Sequence, residues 1–112
     1  MQFEHPLYRF PRTPSPNEPV RDPAVQPRLL KSVPPEYTAE ARKARIQGIV
    51  ILELIVEPDG RISGGKVLKP LPAGLTQKAI DAVKEWRYSP GETRQGAPVR
   101  CLLNVTVRFT LP

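Results

Sequence analysis

The sequence predicts an α+β domain in which two helices pack on one face of a three-stranded antiparallel sheet. Three observations carry that prediction. Residues 49–56 form a β-branched run that is apolar on both faces, residues 99–111 alternate apolar and polar, and helical stripes occupy residues 37–46 and 75–86. In chain order the elements read helix, strand, strand, helix, strand. With 112 residues and 39% hydrophobic content, the chain supports one core.

Residues 1–30 hold Pro6, Pro11, Pro14, Pro16, Pro19, Pro23 and Pro27, seven of the 15 prolines. That spacing admits neither helix nor ladder, so residues 1–30 read as a flexible, polyproline-like linker and residues 31–112 as the folded domain. No repeated PxxP register appears, which favours a spacer over a ligand for a proline-binding module. Next, Tyr37, Ala41 and Ala44 share one face of a short amphipathic helix, with Thr38 placed to cap its start and Gly48 to end it. Residues 49–56 then form the central strand, interrupted only by Glu53. The turn Pro58-Asp59-Gly60-Arg61 should reverse the chain, because Asp-Gly tolerates the positive φ of a tight hairpin. A second strand returns over residues 61–69, where Gly64-Gly65 marks a bulge or a close approach by other backbone. Pro70 and Pro72 break it. Thr76 is placed to cap a second helix whose stripe is Leu75, Ala79, Ile80, Val83 and Trp86, and Ser89-Pro90-Gly91 follows.

The last strand, residues 99–111, puts Val99, Cys101, Leu103, Val105, Val107, Phe109 and Leu111 on one face. Arg100, Leu102, Asn104, Thr106, Arg108 and Thr110 fall on the other. Since the doubly apolar strand belongs in the middle and the hairpin fills one side of it, the last strand takes the other side and becomes an edge. Its unpaired main chain is a template for further pairing, against which Arg100 and Arg108 read as guards.

Catalytic chemistry finds little support. The one histidine, His5, lies in the proline tail, so no triad or imidazole base is expected within the fold. Glu53 and Glu57 share a strand face, but Glu53 reads as the place where that face meets solvent or a cation rather than as half of an acid pair. Gly64-Gly65 lacks the spacing of a phosphate loop. Cys101 alternates onto the buried face and reads as core; one Cys and one His cannot make a structural zinc site, and no cofactor or metal is expected. The net charge is +6, of which +5 lies downstream of residue 30. Arg42, Lys43, Arg45, Lys78 and Lys84 form no contiguous block, however, and Trp86, Tyr88 and Phe109 read as core rather than as stacking platforms, so nucleic acid is not the expected partner. No apolar run approaches the roughly 18 residues of a membrane span, and the first ten residues lack the order of a secretory signal. On those grounds the chain reads either as cytoplasmic or as carrying a targeting segment further upstream.

Residues 37–48 (Tyr-Thr-Ala-Glu-Ala-Arg-Lys-Ala-Arg-Ile-Gln-Gly), the hairpin Pro58-Asp59-Gly60-Arg61 and the segment Trp86-Arg87-Tyr88-Ser89-Pro90-Gly91 together resemble the TonB carboxy-terminal domain family. The resemblance covers residues 33–112, and the tail resembles the end of that family's proline-rich periplasmic spacer. It departs at Thr38, where many members have Pro, and at Gly65, where an apolar residue is common.

The resemblance implies an energy transducer, not an enzyme. Such a domain lies in the periplasm, tethered to the inner membrane by an N-terminal helix absent from this chain. It is driven through ExbB and ExbD, and it grips outer-membrane transporters of siderophores and cobalamin. In the family the transporter's TonB box adds as a strand beside the last strand, which implicates Arg100, Leu102, Asn104, Thr106, Arg108 and Thr110. The nearby segment Val33, Pro34, Pro35, Glu36 and Tyr37 is implicated with them. Alternatives of other classes are a homodimerising or interaction domain appended to another membrane protein such as a sensor peptidase, and salt-sensitive polyanion binding. Contact of the basic surface with peptidoglycan is retained as a side role.

Overall fold

In the computed structural model, residues 2–4 and 18–112 are described; His5 and the prolines at 6, 11, 14 and 16 lie outside the described residues. Ten elements follow in chain order: β1 (Gln2–Glu4), β2 (Arg28–Lys31), α1 (Ala39–Lys43), β3 (Gly48–Val56), β4 (Ile62–Lys69), α2 (Leu75–Val83), β5 (Arg87–Ser89), β6 (Gly91–Glu92), β7 (Pro98–Val99) and β8 (Cys101–Phe109). The main sheet has the order β1-β4-β3-β8, while β2 pairs with β5 and β6 with β7. The expected order of helix, strand, strand, helix, strand is met only by α1, β3, β4, α2 and β8, with β3 central and β8 at an edge. β1 and β2 precede α1, and β5, β6 and β7 stand between α2 and β8. The sheet has four strands rather than three, because β1 adds in parallel on the free side of β4. Main-chain pairing of so short a segment needs no side-chain pattern, which is why periodicity does not announce it.

Alternation along β3 sorts the two faces. Val50, Leu52, Leu54 and Val56 are fully buried beneath Ala41 of α1 and Leu75, Ala79, Ile80 and Val83 of α2, in one cluster with Val67, Cys101, Val107 and Phe109. Helix α2 has its apolar residues at helical spacing, so one face meets the sheet. The opposite face of β3, carrying Ile49, Ile51, Glu53 and Ile55, is half-buried.

Several boundaries differ from the sequence reading for local reasons. Thr38 does cap α1, its hydroxyl accepting from Ala41 N at 3.0 Å and donating to Ala73 O at 2.7 Å. The helix ends earlier than Gly48. Arg45 adopts φ +56°, its N–H donates to Arg42 O, and Ile46 N–H donates to Ala41 O, closing a Schellman motif with a non-glycine residue in the left-handed position. Thr76 is not the cap of α2: Gly74 is, at φ +80°, and the Thr76 hydroxyl instead exchanges hydrogen bonds with the Leu71 main chain. Trp86 lies beyond the helix, half-buried, with Nε1 donating to Val33 O at 2.8 Å.

The hairpin turns as expected, with only Gly60 at positive φ (+85°), and Asp59 accepts from Arg61 N. At Gly65 the close approach is real: a Cβ there would stand 2.0 Å from Glu53 O. Within residues 1–30, expected as linker, the described part touches the domain at several points. Val20 bridges Cys101, Val25 bridges Glu92, and β2 starts at Arg28. Extended, proline-rich chain can still donate and accept through its non-proline residues, and these do so against exposed main chain.

Candidate functional site

Pairing of β8 with β3 runs without a register shift from Cys101↔Val56 to Phe109↔Gly48. The orientation of each β8 peptide follows from one contact: Leu102 N–H donates to Val20 O at 2.9 Å, hence away from β3. By the two-residue period, Asn104, Thr106 and Arg108 also turn their N–H and C=O outward, while Leu103, Val105 and Val107 bond to β3. Among the described residues, Val20 alone pairs with this outer flank, taking Leu102 N–H and the Arg100 carbonyl. From the Leu102 carbonyl to Arg108 the ladder has no strand beside it.

The expected residues divide into three groups. Leu102, Asn104, Thr106 and Arg108 line the outward flank, with the last three exposed. Thr110 lies past the end of β8 at Phe109. Arg100, just before β8, pairs its guanidinium with Glu57 at 3.0 Å. The upstream segment splits as well. Tyr37 meets Phe109 edge-on at 5.6 Å between ring centroids and donates its hydroxyl to Ile46 O at 2.8 Å, which places it beside the end of β8. Val33, Pro34 and Glu36 line a cleft against Lys78, Asp81, Ala82 and Glu85 of the α2 region, with no β8 residue in it. Half-buried Pro35 lies between them in sequence.

The two carboxylates near the site are already paired. Glu53 sits between Arg21, at 3.1 Å, and Lys66, at 3.9 Å, as expected for a carboxylate meeting cations. Glu57 accepts from Arg100 and from the Ser63 hydroxyl, so the two acids have separate partners. Burial raises the pKa of the Cys101 thiol, opposed by a hydrogen bond from the Gly91 backbone, which keeps the sulfur protonated and inert at neutral pH. No group of His, Cys, Asp and Glu suited to a metal occurs among the described residues. Sequence reasoning missed Val20 and Arg21, which lie between prolines and carry no periodic signal. Trp86 was legible as a stripe residue, and the need of a half-buried indole N–H for an acceptor was the available clue to Val33.

Residues 33–111 match the family described as Gram-negative bacterial TonB protein C-terminal. The chain belongs to the TonB C-terminal family. Relatives include Protein TonB of Escherichia coli K12, 35% identical over 88 residues, and Protein TonB of Vibrio cholerae serotype O1, 32% identical over 88 residues. These alignments cover 78% and 77% of this chain but 37% and 36% of the relatives, so the chain spans about a third of their length. The solution NMR structure of the Pseudomonas aeruginosa TonB CTD is similar in fold at a TM-score of 0.60 and 24% identity, over 76% of this chain and 86% of that one. Among the described residues, no helix of this TonB C-terminal domain is long and apolar enough to cross a membrane.

Proposed function

We propose that this domain binds the TonB box of outer-membrane transporters by strand addition to the outer flank of β8. The observation that carries the reading is the regular outward ladder from the Leu102 carbonyl to Arg108, beside a strand otherwise paired along its whole length. Main-chain hydrogen bonds make little demand on sequence, so one flank serves several receptors, while Asn104, Thr106 and Arg108 set register and preference. Affinity is modest, because a short disordered peptide must be ordered as it binds. The domain acts in the periplasm as part of an inner-membrane-anchored transducer that draws on the proton gradient through ExbB and ExbD for siderophore and cobalamin uptake. It has no catalytic role. Residues 1–30 are the end of the spacer through which the pull arrives, and residues 31–112 are the gripping domain.

Titrating a TonB-box peptide into the isotope-labelled chain tests this directly. The largest amide shifts are expected at Asn104, Thr106 and Arg108; unchanged spectra at millimolar peptide overturn the proposal. The same outward flank favours one second reading, homotypic pairing of two β8 edges in a domain appended to another membrane protein. A mass that stays monomeric across a dilution series removes it.

A further inference from the structure

We infer that residues 18–27 form an internal latch on the strand-receiving flank of β8, so that an incoming strand fills the downstream part freely and displaces the latch to gain the rest. The inference rests on the strand-addition reading above and adds how that site is regulated.

The latch has three points of attachment. Val20 N–H donates to Arg100 O, and Leu102 N–H to Val20 O, both at 2.9 Å, which is the pairing a parallel guest strand would make at the head of the flank. The Arg21 guanidinium then crosses to Glu53 at 3.1 Å. Val25 and Glu92 exchange two main-chain hydrogen bonds of 3.0 Å, and buried Pro23 and Pro27 seat the chain against the domain, Pro23 lying over Gly91.

The polar attachments are individually weak, because the Arg21 side chain is largely in solvent and Val20 and Val25 stay 38% and 46% exposed, so that buried Pro23 and Pro27 carry most of the segment's apolar burial. By contrast β8 is paired to β3 at nine successive positions and contributes Cys101, Val107 and Phe109 to the core. Opening of residues 18–27 therefore precedes any loss of the sheet.

The two parts of the flank then differ in availability. The ladder from the Leu102 carbonyl to Arg108 is open in the latched state, whereas Leu102 N–H and the Arg100 carbonyl become available only when Val20 leaves. A short guest reaching no further than Asn104 is indifferent to the latch. A longer one competes with Val20 for the same two groups. The latch thereby acts as a length filter and as a lid on the most upstream hydrogen bonds of the site.

The test uses the full chain and the double variant V20P/V25P, which removes the Val20 and Val25 donors and leaves β8 and the core untouched. Hydrogen exchange at the Leu102 amide should speed up about tenfold or more in the variant while Leu103, Val105 and Val107 keep their protection. Affinity for a TonB-box peptide long enough to reach Leu102 should rise about three- to tenfold, the worth of a hydrogen bond no longer contested, and affinity for a peptide trimmed to end at Asn104 should not change. Unchanged exchange at Leu102, or equal affinity of both proteins for the long peptide with shifts at Asn104, Thr106 and Arg108 intact, overturns the latch alone. An absence of peptide shifts in both proteins overturns strand addition, and the latch with it.

Discussion

Two glycines in the left-handed half of backbone space show how differently the same substitution acts in two places. Gly65, at φ +151°, has Glu53 O of the neighbouring strand 2.0 Å from where a Cβ would stand, whereas Gly96, at φ +81°, has nothing within 4 Å. Gly96→Ala therefore meets only the intrinsic cost of positive φ, about 1 kcal/mol. Gly65→Ala must also push β4 away from β3, and an additional loss of about 2 kcal/mol or more is expected, read as a fall in urea midpoint at unchanged slope. Equal midpoints for the two variants would mean that the strands do not approach so closely. Titration gives a second residue-scale outcome. Burial raises the Cys101 thiol above its ordinary 9.0 and the Tyr88 phenol above its ordinary 10.0. Both groups are neutral when protonated, so above those values the unfolded chain sheds protons that the folded chain retains, and stability falls as pH rises. Stability is expected to be level from neutral pH to about pH 9.0 and to decline beyond it; Cys101→Ala should flatten the first part of that decline and leave the Tyr88 part.

At the level of elements, helix α1 is the least favourable piece. It has five residues, too few for stability on their own, and it persists because Thr38 caps it, Ala41 is buried under it and its end is closed by a Schellman motif. That closure puts Arg45 at φ +56°. Arg45→Gly relieves the strained position at some cost in unfolded-chain freedom, and a net gain of about 0.5 kcal/mol is expected in chemical denaturation. A loss would mean that the Arg45 side chain holds something the cap does not account for. The same element shows what the sequence could and could not disclose. Thr38 was readable as a cap because its chemistry is local, and Asp59-Gly60 as a turn for the same reason. Arg45 was not, because nothing in an arginine signals the left-handed region; Gly48, three positions on, drew the boundary instead. Thr76 failed in a related way: two left-handed residues, Ala73 and Gly74, redirect the chain so that its hydroxyl meets Leu71 rather than the helix amides. β3 was legible as a doubly apolar β-branched run, β4 as the return of the Asp59-Gly60 hairpin, and β8 from alternation over nine residues. β5, β6 and β7, at two or three residues each, are too short to show a period, and their partners are fixed only by the tertiary fold.

For the molecule as a whole, the recurring theme is chain added to sheet edges: β1 on β4, Val20 on the head of β8, and the long open remainder of β8. The central position of β3 made the β8 edge deducible from patterning alone. That its first rung is occupied by residue 20 was not, since a proline-rich tail carries no register. What can be decided sharply is which β8 amides serve the sheet and which serve a guest, because the two sets alternate. Val105 lies opposite Leu52, and its N–H bonds to β3, whereas the Thr106 N–H faces outward. Proline at either position removes one donor, but only at position 105 does that donor belong to the domain itself. Val105→Pro breaks the ladder in mid-sheet, and circular dichroism should show an unfolded chain. Thr106→Pro should remain folded with cooperative denaturation, since proline is tolerated on the free side of an edge strand, while affinity for a TonB-box peptide falls about tenfold or more as the guest loses a central hydrogen bond and meets a ring in its path. If instead Thr106→Pro unfolds and Val105→Pro does not, the outward ladder has been assigned to the wrong set of residues. If both fold and both bind as before, the guest uses another surface.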